Sequence, residues 1–308
     1  MIAAALSACA YFVLQAGVEA PARAGARWPQ AIAGGTFEAS GVAHVPGTTG
    51  VLFVDDGRNR EIFWMELGAD GRQRAPAVRV PLGADVTDLE GITSDGTNFY
   101  VVGSQSKRTG VEGDGLVRFR FDSQSRRTSA VERIQGLKLW LAEHVPELKG
   151  TGRVIGDAAL NIEGIAWDAR GGRLLLGLRA PVVDGKALVI ALKLLDPSGP
   201  FSSPNLRVDG RTIRLPLAGA GVRSLEFDQD AGAFRVITGA SLDDEDRDFR
   251  IVEWKGDAAP ASLPVVASFP RTLKPEGITR ATIAGRPVSL IVFDVGRFML
   301  LEPPATAR

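Results

Sequence analysis

Residues 161–168, NIEGIAWD, followed by residues 171–179, GGRLLLGLR, decide the fold of this chain. They read as a strand, a tight turn at Gly171 and Gly172, and a second strand, with Glu163 and Gly164 close to the start of the first strand. Comparable pairs of strands occur at four other places in the sequence. The stretch is therefore one copy of a repeat, and the repeat predicts the fold.

The repeat has the period of a propeller blade. Aligned by the turn and the second strand, the five copies start at Ser40, Glu90, Glu163, Arg223 and Glu276. Consecutive starts are 50, 73, 60 and 53 residues apart. These periods approach the roughly 40–50 residues of propeller repeats once insertions are allowed for, and they favour blades over a helical solenoid. The first four copies each continue with two more strand-like runs.

The fifth copy supplies the evidence for a closed ring. After its first two strands it has one further strand-like run, residues 297–301, so an outer strand is missing. An unassigned run at residues 31–37 precedes the first copy. Pairing of that run with the last copy would close the ring and cover an exposed sheet edge. We predict an all-β, five-bladed β-propeller closed by an N-terminal strand, with six blades as the alternative.

The largest insertion, residues 131–157, contains a short amphipathic segment at residues 137–145 that predicts a helix. Two interpretations are open. The helix packs on the surface, at the connection between blades two and three, or it forms a lid or wall over the channel mouth.

Composition excludes several classes of function. Lys and Arg total 36, as do Asp and Glu, so no overall field favours nucleic acid or an acidic membrane surface. One cysteine, Cys9, rules out an internal disulfide framework. With His44 and His144 as the only histidines, a multi-histidine zinc site is not expected.

The N-terminal segment predicts export. Residues 2–18 are apolar and rich in alanine, and residues 22–24 read ARA, a signal-cleavage pattern. We assign residues 1–26 to a signal peptide or membrane anchor and residues 27–308 to a single propeller domain. The protein is then periplasmic or extracellular, and no later run is long and apolar enough to span a bilayer.

The fold places a set of polar residues at one channel mouth, because first-strand starts and second-strand ends of propeller blades converge on the same rim. Besides the five blade starts, the rim is expected to contain the second-strand ends Asp55, Ser104, Arg179 and Asp294. Lys107 lies on an adjacent loop. The glycine after each glutamate allows close packing at a crowded axis.

Three interpretations of this rim remain open. Glutamates and arginines form ion pairs that plug the channel and set blade register. Alternatively, the rim holds a hard cation such as Ca²⁺, the one cofactor predicted, through Asp55, Glu90, Glu163, Glu276 and Asp294. In the third, the rim holds an anionic ligand, a phosphate or a carboxylate, through Arg179, Arg223 and Lys107, and Glu90, Glu163 and Glu276 orient it or act as a base. Ser104 is a further predicted ligand-binding residue. A metal that bridges carboxylates and phosphate would combine the last two.

Several motifs resemble a known family. DLEGI at 88–92, VGSQSKR at 102–108, NIEG at 161–164 with LGLRAP at 176–181, and GVR at 221–223 resemble the uncharacterised bacterial family known as domain of unknown function 3616. The resemblance runs from about residue 35 to 303 and implies a β-propeller without an established activity. More distantly, the EGI units resemble esterase-like phytase-type propellers, which implies a divalent cation and phosphoester chemistry. Ser40 and Arg223 depart from a uniform acidic ring and favour an anionic or mixed-charge ligand.

The sequence thus predicts an exported propeller that binds a small polar or anionic ligand at the Glu/Arg rim, with a divalent cation as an option. If the protein is an enzyme, phosphoester or ester hydrolysis is the expected chemistry. The alternative is a non-catalytic envelope scaffold with a structural ion-pair ring. A protein partner is not identifiable from these residues.

Overall fold

A computed structural model describes residues 29–106, 115–242, 246–257 and 260–302. These residues form five antiparallel sheets, four of consecutive strands and one that combines the first strand with the last three, which confirms the predicted five-bladed β-propeller. No sixth sheet occurs among them, so the six-blade alternative is wrong. The predicted signal segment, residues 1–26, lies outside the described residues.

Blade one contains β2 (Ala39–His44), β3 (Gly50–Asp55), β4 (Glu61–Glu66) and β5 (Val78–Pro81). All six residues of β3 are buried because both faces of the blade are covered. Val51 and Phe53 pack in a cluster shared with the last blade, whereas Leu52 and Val54 pack in a cluster shared with blade two. Side chains alternate across a strand, so each blade supplies two cores.

Blade two contains β6 (Leu89–Ser94), β7 (Phe99–Gly103), β8 (Leu116–Asp122) and β9 (Arg127–Ile134). Burial decreases from the inner strands to the outer one. β7 is buried throughout, and β9 is mostly exposed or half-buried.

Blade three contains β10 (Asn161–Asp168), β11 (Arg173–Val183) and β12 (Lys186–Leu194), and its outer strand is divided. β13 (Leu206–Val208) pairs with the end of β12, and β14 (Ile213–Leu215) pairs with its beginning. The strand-like run that the sequence predicts here, residues 211–215, contains β14 but not β13.

Blade four contains β15 (Gly221–Asp228), β16 (Ala233–Gly239), β17 (Phe249–Trp254) and β18 (Val265–Phe269). Trp254 on β17 is fully buried and stacks on Phe234 at a centroid distance of 4.7 Å. The aromatic pair belongs to the core shared with blade three.

Blade five contains β19 (Pro275–Ile283), β20 (Arg286–Phe293) and β21 (Arg297–Leu301), and its outer strand is β1 (Gln30–Ala31). β1 pairs antiparallel with β21, which confirms closure by an N-terminal strand. β1 begins one residue before the predicted run of residues 31–37 and shares only Ala31 with it, and Ile32 continues the closure by donating its backbone N–H to the carbonyl oxygen of Gly296. The covered edge is the edge that the sequence left unpaired.

The predicted helix is α1 (Leu137–His144). Leu137, Trp140 and Leu141 are buried in a cluster with residues of blades two and three, including Val102 and Leu178. The helix therefore packs on the connection between these blades, as the first interpretation states. Short 3-10 helices lie at Pro146–Leu148, Thr151–Arg153, Ser203–Asn205 and Arg271–Leu273. No helix within the described residues is long and apolar enough to cross a membrane.

Candidate functional site at the channel mouth

A β-bulge interrupts the first strand of every blade at the same position. In each first strand one residue has no partner on the second strand, so the register shifts by one residue there. The extra residues are Ser40, Glu90, Glu163, Arg223 and Glu276. They are the five residues at which the sequence repeat was aligned. A bulge bends the strand and redirects a side chain, and here it marks one position around the channel mouth.

Glycines next to the bulges bring the strands together at the axis. A Cβ atom on Gly277 would lie 2.9 Å from the Cα atom of Gly41, and a Cβ atom on Gly41 would lie 2.7 Å from the carbonyl oxygen of Glu90. Contacts this short are not tolerated between real Cβ atoms and backbone. Glycine is therefore required by the backbone approach that brings blades five, one and two into contact below the rim.

The bulge residues surround a cavity of about 260 Å³, which we call the mouth cavity. Its charged lining is dominated by acids. The carboxylates are Glu38, Asp56, Asp88, Glu90, Asp157, Glu163, Glu276 and Asp294, and the cationic side chains are Arg179, Arg223 and Lys274. This excess of acid was not evident from the balanced composition of the whole chain.

One half of the rim is an ion-paired network, the paired cluster, formed by Glu163, Arg179, Arg223 and Glu276. The Arg223 Nε atom donates to Glu276 Oε2 at 2.9 Å, and its Nη2 atom donates to Glu276 Oε1. Nε also lies 2.8 Å from Glu163 Oε2, although its hydrogen points to Glu276. On the far side, Arg179 Nη1 donates to Glu163 Oε1 at 3.2 Å. The first interpretation of the rim, in which glutamates and arginines form ion pairs, therefore describes this half.

Burial controls ionisation in the paired cluster. It raises the pKa of Glu163 to about 7, with Arg223 and Arg179 acting against it and Glu276 adding to it. It also raises the pKa of Glu276, again opposed by Arg223. For Arg223, burial acts to lower the pKa, but Glu163 and Glu276 outweigh it and raise the pKa. One guanidinium thus holds two buried carboxyl groups on different blades.

The other half of the rim is the acidic cluster, formed by Asp56, Asp88 and Glu90. Each of the three carboxylates offers an oxygen within 4.8 Å of the other two. No hydrogen bond or ion pair joins the Glu90 carboxylate to another described residue. Burial raises the pKa of Glu90 well above its usual value, and Glu163 and Asp88 raise it further. Glu90 therefore has no ion-pair partner among the described residues, although the charge of Arg223 acts to lower its pKa.

Two of the second-strand residues predicted for a metal have other partners. Asp55 accepts hydrogen bonds from the backbone N–H groups of Glu38 and Gly57, both at 3.1 Å, and does not line the cavity. Asp294 lines the cavity and accepts a hydrogen bond from Lys274 Nζ at 2.6 Å. Asp55 therefore stabilises a turn, and Asp294 is balanced by a lysine.

The carboxylates predicted as one metal site do not meet as a single group among the described residues. Of Asp55, Glu90, Glu163, Glu276 and Asp294, only Glu90 belongs to the acidic cluster. Its two neighbours were missed. Asp88 precedes Glu90 by two residues, a spacing that places side chains on the same side of a strand, and this was a usable signal. Asp56 had no such signal, because adjacent Asp55 fits the same position at the strand end.

Ser104 and Lys107 were also predicted to bind the ligand at the rim. Ser104 is buried, donates its hydroxyl to Asp88 Oδ2 and does not line the cavity, so it positions an acidic-cluster residue. Lys107 lies outside the described residues.

Asn161 is a site residue that the sequence did not single out. It is 3% exposed, lines the mouth cavity, and its Oδ1 atom has no hydrogen-bond partner. A buried amide without a partner is costly unless a ligand or water supplies one. Asn161 stands at the start of β10, beside the bulge at Glu163.

Fold and site together define a five-bladed β-propeller whose channel mouth has the ion-paired cluster on one side and the acidic cluster on the other. Residues 148–294 match the model of the family described as a protein of unknown function, DUF3616. This match confirms the family resemblance, over a shorter stretch than the sequence motifs suggested. The more distant likeness to phytase-type propellers stays a prediction. No curated protein matches the sequence significantly.

Solved structures with similar folds include sugar dehydrogenase propellers. The PQQ domain of pyranose dehydrogenase from Coprinopsis cinerea, in its holo form, is 11% identical, with 90% of this chain and 95% of that chain covered and a TM-score of 0.50. A Trichoderma reesei carbohydrate-active enzyme of family AA12, described as a calcium structure, is 9% identical, with the same coverage and TM-score. The apo soluble aldose sugar dehydrogenase from Escherichia coli is 12% identical over 89% and 99% of the two chains, with a TM-score of 0.46. At these identities the likeness concerns the fold alone.

Proposed function

We propose that the protein is an exported binding propeller that holds a divalent cation, Ca²⁺ in the first instance, in the acidic cluster and a small polar ligand beside it. The observation that carries this proposal is the arrangement of Asp56, Asp88 and Glu90, with oxygens within 4.8 Å of one another in an acid-rich cavity. Export rests on the sequence of residues 1–26.

The chemistry of these side chains suits calcium. Ca²⁺ binds carboxylate and amide oxygens at roughly 2.3–2.6 Å, so two ligands of one ion can lie up to about 5 Å apart. The acidic cluster meets that limit. Asn161 lines the same cavity and offers an amide group without a protein partner. A cation would also oppose the burial and the repulsion by Glu163 and Asp88, which raise the pKa of Glu90.

The small ligand is expected to depend on the cation. Arg223 is committed to two glutamates, and Arg179 is committed to Glu163. An anion that entered the mouth alone would meet an excess of carboxylates. With a cation in the acidic cluster, a phosphate ester or sugar acid gains a positive partner in addition to the arginines and the lysine of the described rim, which already hold carboxylates. We therefore keep the small polar or anionic ligand that the sequence predicts, and we propose that the cation binds before it.

The mouth does not fit pyrroloquinoline quinone, the PQQ named for one structural neighbour. That cofactor carries three carboxylates, and the lining already has more carboxylates than cationic groups. One bound divalent cation gives a single anionic group a positive partner, whereas the remaining carboxylates of this cofactor would meet the acidic lining. His44 and His144, the two histidines of the chain, do not line the mouth cavity. We therefore assign no quinone chemistry to this site.

The test is to titrate metal-stripped protein with calcium. The unfolding temperature measures stabilisation, and calorimetry measures the heat of binding. At a calcium concentration 100 times its dissociation constant, stabilisation of about 2.7 kcal/mol is expected, roughly 5 °C in a domain of this size. Glu90→Gln should remove this response. Glu66→Gln, at a glutamate paired with Arg74 away from the mouth, is the matched control and should keep it.

Phosphate esters and sugar acids are then added with and without calcium. Stabilisation only in the presence of calcium supports the proposed order, and release of phosphate or alcohol would identify a hydrolase. A flat response to Ca²⁺, Mg²⁺ and all ligands would contradict the proposal. It would favour the alternative function, a non-catalytic scaffold in which the paired cluster holds the blades in register.

A further inference from the structure

A second cavity, of about 280 Å³, lies at the opposite end of the channel and is called the lower cavity here. It is lined by the last residues of the five first strands and the turns that follow them, from Ala43 in blade one to Thr282 in blade five. It shares no lining residue with the mouth cavity. The proposed function makes no use of it.

Glu226, on β15, is the titratable group of interest in this cavity. Its Oε1 atom accepts hydrogen bonds from the Thr279 hydroxyl at 3.2 Å and from the backbone N–H of Arg280 at 3.4 Å. No hydrogen bond or ion pair joins its Oε2 atom to a described residue. The neighbouring Arg280 guanidinium is already paired with Asp228 and Asp230. Glu226 therefore faces the cavity as a carboxyl group without a cationic partner.

The ionisation of Glu226 follows from this isolation. Burial raises its pKa to about 8, the two hydrogen bonds act to lower it, and Asp228 raises it further. At pH 7, without a ligand, the carboxyl group is therefore mostly protonated. A cation placed against Oε2 would favour the ionised form and displace the proton.

The other residues that line the lower cavity favour an organic cation. Asp95 and Asp230 add two carboxylates, and Arg280 is the one arginine or lysine among the described lining residues. Trp167 provides an aromatic wall and stacks on Tyr100 at a centroid distance of 5.9 Å. A carboxyl group and an aromatic ring that line one cavity are the combination that recognises alkylated ammonium groups.

We infer that the lower cavity binds an organic ammonium ligand, whose positive charge pairs with Glu226 and whose alkyl groups contact Trp167. A bare metal ion has no alkyl groups to place against the indole, and an anion would meet the carboxylates of Asp95 and Asp230. The ring nitrogen Nε2 of His44 donates to the carbonyl oxygen of Thr48 at 2.8 Å, which leaves Nδ1 as a further acceptor in the neutral ring. The cavity thus offers acceptors to a cationic ligand.

Calorimetry with choline tests this inference, and its neutral isostere 3,3-dimethylbutan-1-ol is the matched probe. Choline should bind, and the isostere should bind at least roughly tenfold more weakly, since a hydrogen-bonded or paired charge contributes about 1.5–3 kcal/mol. Titrations at pH 7 in two buffers of different ionisation enthalpy should reveal release of close to one proton per choline bound. Affinity should increase as pH rises towards 8.

Variants separate this site from the mouth. Glu226→Gln keeps the size of the side chain and its acceptor for Thr279, and it should reduce choline affinity roughly tenfold or more and abolish proton release. Glu66→Gln should bind choline as the parent does. Because the cavities share no residue, choline binding should persist in metal-stripped protein even if the calcium proposal fails. Equal binding of both probes, no binding of choline, or unchanged proton release in Glu226→Gln would overturn the inference.

Discussion

Arg223 is the residue on which the paired cluster depends. Its guanidinium contacts Glu163 of blade three and Glu276 of blade five, and it lies over the Phe249 ring at 5.8 Å. All three charged side chains have exposures of 12% or less. A buried pair is weak evidence of net stabilisation, but removing one partner leaves the other charges uncompensated.

We predict that Arg223→Met destabilises the protein by about 3–5 kcal/mol near neutral pH. The loss should be smaller at pH 5, because Glu163 and Glu276 have raised pKa values and take up protons once the guanidinium is gone. Denaturant unfolding at pH 5 and pH 8 measures the difference. Arg74→Met removes an exposed pair with Glu66 and should cost less than about 1 kcal/mol at either pH. Equal losses in both variants would contradict a central role for Arg223.

Glu226 gives a second residue-scale prediction, for the ligand-free protein. Its folded pKa of about 8 lies above the usual value of 4.5, so the native state binds more protons than the unfolded state between these values. This group therefore makes stability fall as pH rises from about 4.5 to 8. Glu226→Gln should lack that contribution and gain stability relative to the parent as pH increases. Unfolding midpoints at pH 5, 7 and 9 test it, and a constant difference would refute the assigned ionisation.

At the scale of the element, the bulge and its following glycine act together. The bulge displaces Glu90 from the ladder, and Gly91 then lets β6 approach β10. A Cβ atom on Gly91 would lie 2.7 Å from Ile165 Cγ2 and 3.0 Å from the carbonyl oxygen of Glu163. A change at this position therefore affects both packing and the location of Glu90.

We expect Gly91→Ala to destabilise the protein by roughly 1–3 kcal/mol through overpacking, and to weaken calcium binding because Glu90 shifts with the strand. Gly68→Ala is the control, since its added Cβ would meet the end of the exposed Asp70 side chain, which can rotate away. Unfolding and calcium titration of both variants provide the comparison. Unchanged stability in Gly91→Ala would show that the blades can separate without cost.

At the scale of the whole molecule, closure joins the two ends of the described chain. β1 has only two residues, but it covers β21, and Ile32 beside it is 4% exposed in the core between blades five and one. Without β1, the backbone groups of β21 would form an exposed edge that can pair with another chain.

A chain beginning at Gly35 should therefore unfold at a lower denaturant concentration than one beginning at Pro29, and it should associate as its concentration rises. Denaturation followed by light scattering measures both effects. If the two chains are equally stable and monomeric, closure by β1 contributes nothing measurable, and the ring is held by blade-to-blade packing alone.

Much of the fold followed from local pattern. Alternating apolar residues, turn glycines and the 50 to 73 residue spacing predicted five blades, and the missing strand predicted closure. The outer strand of blade three was harder, because β13 is three residues long and pairs with only three of the nine residues of β12. Short segments carry too little periodicity to be recognised.

The amino-acid sequence by itself determined the five blades, their closure and the position on each first strand that faces the mouth, since these depend on strand periodicity and on where a glycine must stand. Only the tertiary structure decided how the rim is divided. Arg223 reaches the glutamates of the two neighbouring blades, which leaves Glu90 with Asp56 and Asp88. Such partnerships depend on distances of a few ångströms between side chains far apart in sequence, and the lower cavity around Glu226 arises in the same way.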